Sequence, residues 1–263
     1  MENINPIFIV QPVVVIVIST VLMLYWYKKR HFHANVWLYS LIAYGAAIAL
    51  KYAVQLPTIN YVISAFGANS IGLGLYYGFQ TVFFEVGLAF VIAYFAVNRG
   101  NLDKRDAEAY GSGLAFWENV GLLSALSLVN LIAYYVILSM GGSLADLTYN
   151  QLSMNAPALF SSNLEALGLV GIGIFERISS MLIHVAWGYL CLMAVLYKKK
   201  LLFLIALPMG FIDFLVPFAQ SNVVLFEIVV FAISVISVFV AWYATKRVAL
   251  EVPRPPQQVN SSD

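Results

Sequence analysis

The chain has 263 residues, of which 62% are hydrophobic and 10% charged, with a formal net charge of +1 and a mean hydropathy of +0.85. A soluble globular domain is about a quarter charged, so composition excludes that class and marks an integral membrane protein. The near-neutral balance gives no footing for a nucleic-acid partner, and a single cysteine, Cys191, rules out an intrachain disulfide framework.

A helix needs about 20 apolar residues to cross the hydrocarbon. Seven stretches meet that length in chain order: 7–27, 35–56, 74–98, 111–138, 167–197, 201–219 and 222–245. The first is too long for the apolar core of a signal peptide. It has no basic segment before it and no small-residue cleavage site after it, so it reads as a retained helix. Aromatic residues at the ends, such as Tyr25, Trp26, Trp37, Tyr197 and Trp242, fit interfacial belts. Cys191 lies inside the fifth run and reads as a small core side chain.

Lys28, Lys29 and Arg30 follow the first segment, and Arg99, Lys104 and Arg105 separate the third and fourth. Lys198, Lys199 and Lys200 precede the sixth, and Lys246, Arg247 and Arg254 follow the seventh. The alternate connections, 57–73, 139–166 and 220–221, hold no Lys or Arg. The positive-inside rule then places the N-terminus outside and the C-terminus in the cytoplasm. The longest connection, 139–166, is rich in Ser, Asn and Gly and has room for a short interfacial helix. No repeat or second domain is visible. The expectation is an all-α polytopic bundle of about seven transmembrane helices over 1–247, followed by a tail at 248–263 that ends in "VPRPPQQVNSSD", a composition typical of disorder. The Gly-x-Gly pieces at Gly72 and Gly74, Gly111 and Gly113, and Gly171 and Gly173 follow no strand, so close helix packing explains them better than nucleotide binding.

Charged residues inside these runs are the informative exceptions, because charge at membrane depth is costly. The fifth run contains "IFERISSMLIHVAWGY", in which Glu176, Ser180 and His184 recur every four residues and share one helical face. Counting about 1.5 Å per residue from the Lys/Arg-rich ends puts Glu85 at about 18 Å, His184 at about 19 Å, Asp213 at about 18 Å and Glu118 at about 10 Å. A second tier, of Lys51, Glu176, Arg177 and Glu227, falls nearer the other face. Two cations against two anions there read as structural ion pairs joining helices 2, 5 and 7. The deeper tier has three carboxylates, one imidazole and no cation, so it should hold protons or a metal ion. His, Glu and Asp with water form an acceptable Zn²⁺ donor set, and a spare Glu is a candidate base. There is no HExxH and no second His at helical spacing, while His31 and His33 lie beside "YKKR" in a solvated setting. Metal site, proton relay and polar glue between helices all stay open on residue chemistry alone.

Four pieces in order, "VFFEVGLAF", "YGSGLAFWEN", "FERISSMLIHVAWGYL" and "ALPMGFIDF", together with "YKKR" and "LFEIV", resemble the YhfC-type intramembrane metalloproteases. That family is grouped with PrsW, the CAAX prenyl proteases and the non-catalytic Aph subunit of γ-secretase. The resemblance implies a membrane peptidase that acts on a membrane peptide or protein. Glu118 and Glu85 would be catalytic, His184, Asp213 and Glu118 metal ligands, and Zn²⁺ the cofactor. It also implies contact with membrane lipids and a place in a prokaryotic plasma membrane. Val86 and Ala89 stand where the family has a second Glu and an Arg, and Leu114 and Met209 stand where it has two His. A non-catalytic scaffold or partner-binding member is therefore the alternative, with a proton-linked carrier behind it. No inverted repeat or pair of broken helices supports a carrier.

Overall fold

The computed structural model describes residues 3–251. Seven helices among them are long and apolar enough to cross a membrane. They are α1 (Pro6–Arg30), α2 (Asn35–Phe66), α3 (Ile71–Asn98), α4 (Lys104–Met140), α5 (Asn163–Leu196), α6 (Lys200–Ala219) and α7 (Val223–Glu251). The chain is thus an all-α, multi-pass membrane protein. The first turn of α1 is set by the Asn5 side chain, which accepts from the Ile7 amide, and by Pro6 at the first helical position. Ser162 caps α5, and Asp103 begins α4 with a reciprocal capping box to Asp106. The final helix continues through Glu251, so part of the expected tail is helical, and 252–263 lies outside the described residues.

Helix α5 is the axis of the bundle. Its most apolar stretch is 67% buried, against at most 39% for any other span. Leu190, Cys191 and Leu192 are fully enclosed, and Trp187 nearly so. Helices α4 and α5 cross with backbones almost touching, because a Cβ on Gly188 would lie 2.5 Å from the Gly111 Cα. Gly74 similarly faces the Phe214 carbonyl of α6, and Gly173 faces Gln11 of α1, whereas Gly171 has no such neighbour. Replacing Gly188 with Leu should force the two backbones apart and cost about 1–3 kcal/mol or more. Thermal unfolding in detergent checks this, and an unchanged midpoint would mean that the helices do not meet there.

The basic loops gather at one end. Arg30 pairs with Glu108, His33 meets Asp106 at 2.9 Å, and the Lys104 ammonium lies 5.6 Å from the Tyr197 ring. At the opposite end a short helix, Ser143–Asn155, and a tight turn, Pro157–Phe160, cover an apolar cluster that includes Ile4, Phe8, Leu138 and Leu152. Strands are absent among the described residues.

Three spans depart from regular α geometry. Helix α3 widens into a π turn at Thr81–Val86, and α4 does so at Trp117–Ser124. Helix α6 tightens into a 3-10 coil from Phe211 onward, just after Pro208. Such departures tend to occur at functional sites. Here they carry Glu85, Glu118 and Asp213 respectively.

Candidate functional site

A cavity of about 280 Å³ lies between α2, α3, α4, α5, α6 and α7. Its wall carries Lys51, Glu85, Glu118, Glu176, Arg177, Ser180, His184 and Asp213. All four of the deep residues expected from the sequence are therefore present together. The division into two tiers does not hold. Lys51 belongs with the deep group: its ammonium pairs with Glu85 and lies 3.1 Å from Asp213 Oδ2. Arg177 Nη1 is 3.8 Å from Glu118 Oε1, and the same guanidinium pairs with Glu176. The deep acids thus have cations beside them, contrary to the depth count.

Two physical causes account for this. Side chains tilt toward a helix's N-terminus, which for α2 is the basic end, so the long Lys51 stem reaches back about one turn. Helix α4 starts at Lys104 rather than at 111, which lifts Glu118 to about 21 Å and level with His184.

His184 is the centre of the arrangement. Its Nε2 lies 3.2 Å from Glu85 Oε2, and its Nδ1 lies 3.2 Å from Glu118 Oε2 and 2.9 Å from the Ser180 carbonyl. The Ser180 hydroxyl donates to Glu118 Oε2 at 2.6 Å. The four-residue stripe seen in the sequence thus positions both the imidazole and the carboxylate on the next helix. Trp187 packs against the His184 ring at 4.2 Å and Tyr44 flanks it at 6.2 Å, so the ring cannot swing freely. Thr81, within the α3 π turn, donates to Asp213. Asn119 donates to the Ala115 carbonyl at 2.9 Å while its own Oδ1 has no partner among the described residues. Thr81 and Tyr44 went unmarked in the sequence because nothing in their spacing distinguishes them, and Asn119 entered only as the last residue of the "YGSGLAFWEN" piece. Of the residues expected to form structural ion pairs, Arg177 and Glu176 do pair. Lys51 pairs elsewhere, and Glu227 is buried with Oε2 unpartnered among the described residues.

His184 Nε2 and Glu85 Oε2 at 3.2 Å are spaced as two ligands of one ion could be. A third donor does not join them. Among the described residues, the three His, Cys, Asp or Glu donors that lie mutually within 4.8 Å are those of His33, Asp103 and Asp106, at the basic end. That cluster is a loop clasp: Asp106 accepts from the His33 and Asp103 amides, and Arg105 bonds both His33 and Asp103. Inside the cavity the Lys51 ammonium stands between Glu85 and Asp213, where a cation shared by those acids would sit. Leu114 and Met209, where the resembled family has imidazoles, are packed into the apolar core. As arranged, these residues do not fit a zinc ion, which favours several nitrogen or sulfur ligands.

The model of a family described as YhfC intramembrane metalloprotease matches residues 13–240. No curated protein and no solved structure matches the chain.

Proposed function

The chain belongs to the YhfC intramembrane metalloprotease family, and from that premise we propose that it hydrolyses a peptide bond of a membrane peptide or protein, using the cavity around His184. The observation that carries this is the acid–imidazole–acid row, Glu85–His184–Glu118, on the wall of a cavity large enough for water. Glu118 takes a proton as a water oxygen attacks the peptide carbonyl carbon. The imidazole beside it passes a proton to the leaving amine nitrogen as the carbon–nitrogen bond breaks. Lys51 and Arg177, facing the same space, oppose the negative charge that develops on the carbonyl oxygen. The bond to be cut must first unwind, which a cavity lined by polar groups permits inside the bilayer. In this proposal the protein sits in the plasma membrane of a prokaryote with its Lys/Arg-rich loops and C-terminus in the cytoplasm, as the charge distribution supports.

The test is cleavage of membrane-spanning peptides by the purified protein in proteoliposomes, read by mass spectrometry, with and without a strong chelator. Cleavage that survives chelation is expected. No cleavage of any peptide by the intact protein would sink the peptidase reading. A second reading is favoured by the Lys51 bridge and by the apolar residues at 114 and 209: a member that binds membrane partners without cutting them. Stable capture of an uncut peptide in the same assay would select it.

A further inference from the structure

The cavity is closed on one side and open on the other. Toward the basic end its floor is Trp187, followed by Leu114, Leu190 and the Gly111–Gly188 contact, all close-packed. Toward the opposite end the wall continues through Leu122, Val216 and Phe226. Phe226 is four residues from Asn222, the turn between α6 and α7, or about 6 Å along the axis.

Along α5 exposure rises in the same direction: the His184 side chain is 5% exposed and Glu176, two turns nearer the opposite end, 44%, while Asp213, level with His184, is 33% exposed beside Val216. A second pocket of about 260 Å³, lined by Gln11, Ser127, Glu176 and Arg177, adjoins the first at the level of Glu176. Farther along, Gln55 donates to Gln80 at 2.8 Å, and Thr58 meets the Tyr76 hydroxyl at 2.6 Å. Gln80 Nε2 is buried without a partner among the described residues. Unpaired polar groups at this depth are costly unless water reaches them.

We propose that the cavity takes its water and its polar ligand only from the end of the bundle that lacks Lys and Arg. Given the positive-inside placement of the basic loops, that is the non-cytoplasmic face. Combined with the peptidase reading, the substrate is a segment that leaves the bilayer on that face. The access route itself rests on cavity shape and not on hydrolysis.

Single cysteines read it directly, because a thiol reacts with a charged reagent only where water lets it ionise. Leu122→Cys and Val216→Cys report the mouth, Ser139→Cys and Lys104→Cys mark the two ends, and Val129→Cys reports a lipid-facing position. The parent chain, with Cys191 fully buried, is the blank. A membrane-impermeant sulfonate thiol reagent is added to either side of oriented vesicles. The two mouth positions should react about tenfold faster or more from the side that modifies Ser139→Cys, with Val129→Cys silent. Faster reaction from the Lys104→Cys side, equal rates from both sides, or no reaction at either mouth position while both end markers react would each overturn the proposal. Peptide cleavage measured separately shows whether the peptidase reading stands.

Discussion

Replacing Lys51 with Met is expected to destabilise the bundle by about 3–5 kcal/mol, the usual cost of removing one partner from a buried ion pair. The reason lies in what Lys51 separates. Its ammonium is held between Glu85 and Asp213, on two different helices, and its side chain is only 12% exposed. Without it, two carboxylates face each other with no cation between them, and Glu85 is only 9% exposed. The expected measurement is a lowered midpoint of thermal unfolding in detergent, with partial recovery when Glu85→Gln is added to Lys51→Met. Recovery separates lost charge balance from lost packing, since the double variant restores neither the stem nor its contacts. An unchanged midpoint in the single variant would mean that Lys51 does not bridge the two acids.

Glu118→Gln should abolish hydrolysis, by about 10²–10⁴-fold if general base catalysis is its role, while leaving stability nearly intact. The amide oxygen can still accept the Ser180 hydroxyl and face His184 Nδ1, now 3.2 Å from the carboxylate, and the distance of 3.8 Å to Arg177 is too long for a strong pair. The variant therefore isolates chemistry from folding, provided that its unfolding midpoint and elution profile match the parent. A Glu118→Gln protein that folds normally and cleaves at the parent rate would remove Glu118 from the mechanism. A loss of folding would instead return the residue to a structural role.

Much of this organisation could be read from the residues. Apolar runs located all seven spans because the bilayer demands long apolar helices, and the polar connection after the fourth did hold a short helix. The family resemblance, carried by four pieces around Glu85, Glu118, His184 and Asp213, is matched by the family model over residues 13–240. What misled was depth. The charged stretch from Lys104 to Tyr110 looked like loop, yet Asp103 caps it and the helix starts there, so Glu118 sits far higher than its distance from 111 implied. Lys51 was misplaced for a related reason: the position of a Cα along an axis does not give the position of an ammonium about 6 Å away on a flexible stem. Neither π turn could be detected by sequence inspection, because one extra residue within a long, mostly apolar run leaves no mark on its periodicity. Those features bring four carboxylates, two cations and one imidazole to the same cavity wall.

The widened turns at Thr81–Val86 and Trp117–Ser124 carry a consequence of another kind. Each holds one residue more than an α turn would, so deleting a single residue there would restore the ordinary ladder with little change in the flanking register, whereas the same deletion in a regular stretch of α3 or α4 would rotate everything beyond it by about 100°. Only the second kind of deletion would take Glu85 or Glu118 out of register with α5. The extra residue at each turn thus sets Glu85 and Glu118 toward α5 without disturbing the glycine crossing of α4 and α5 beneath them.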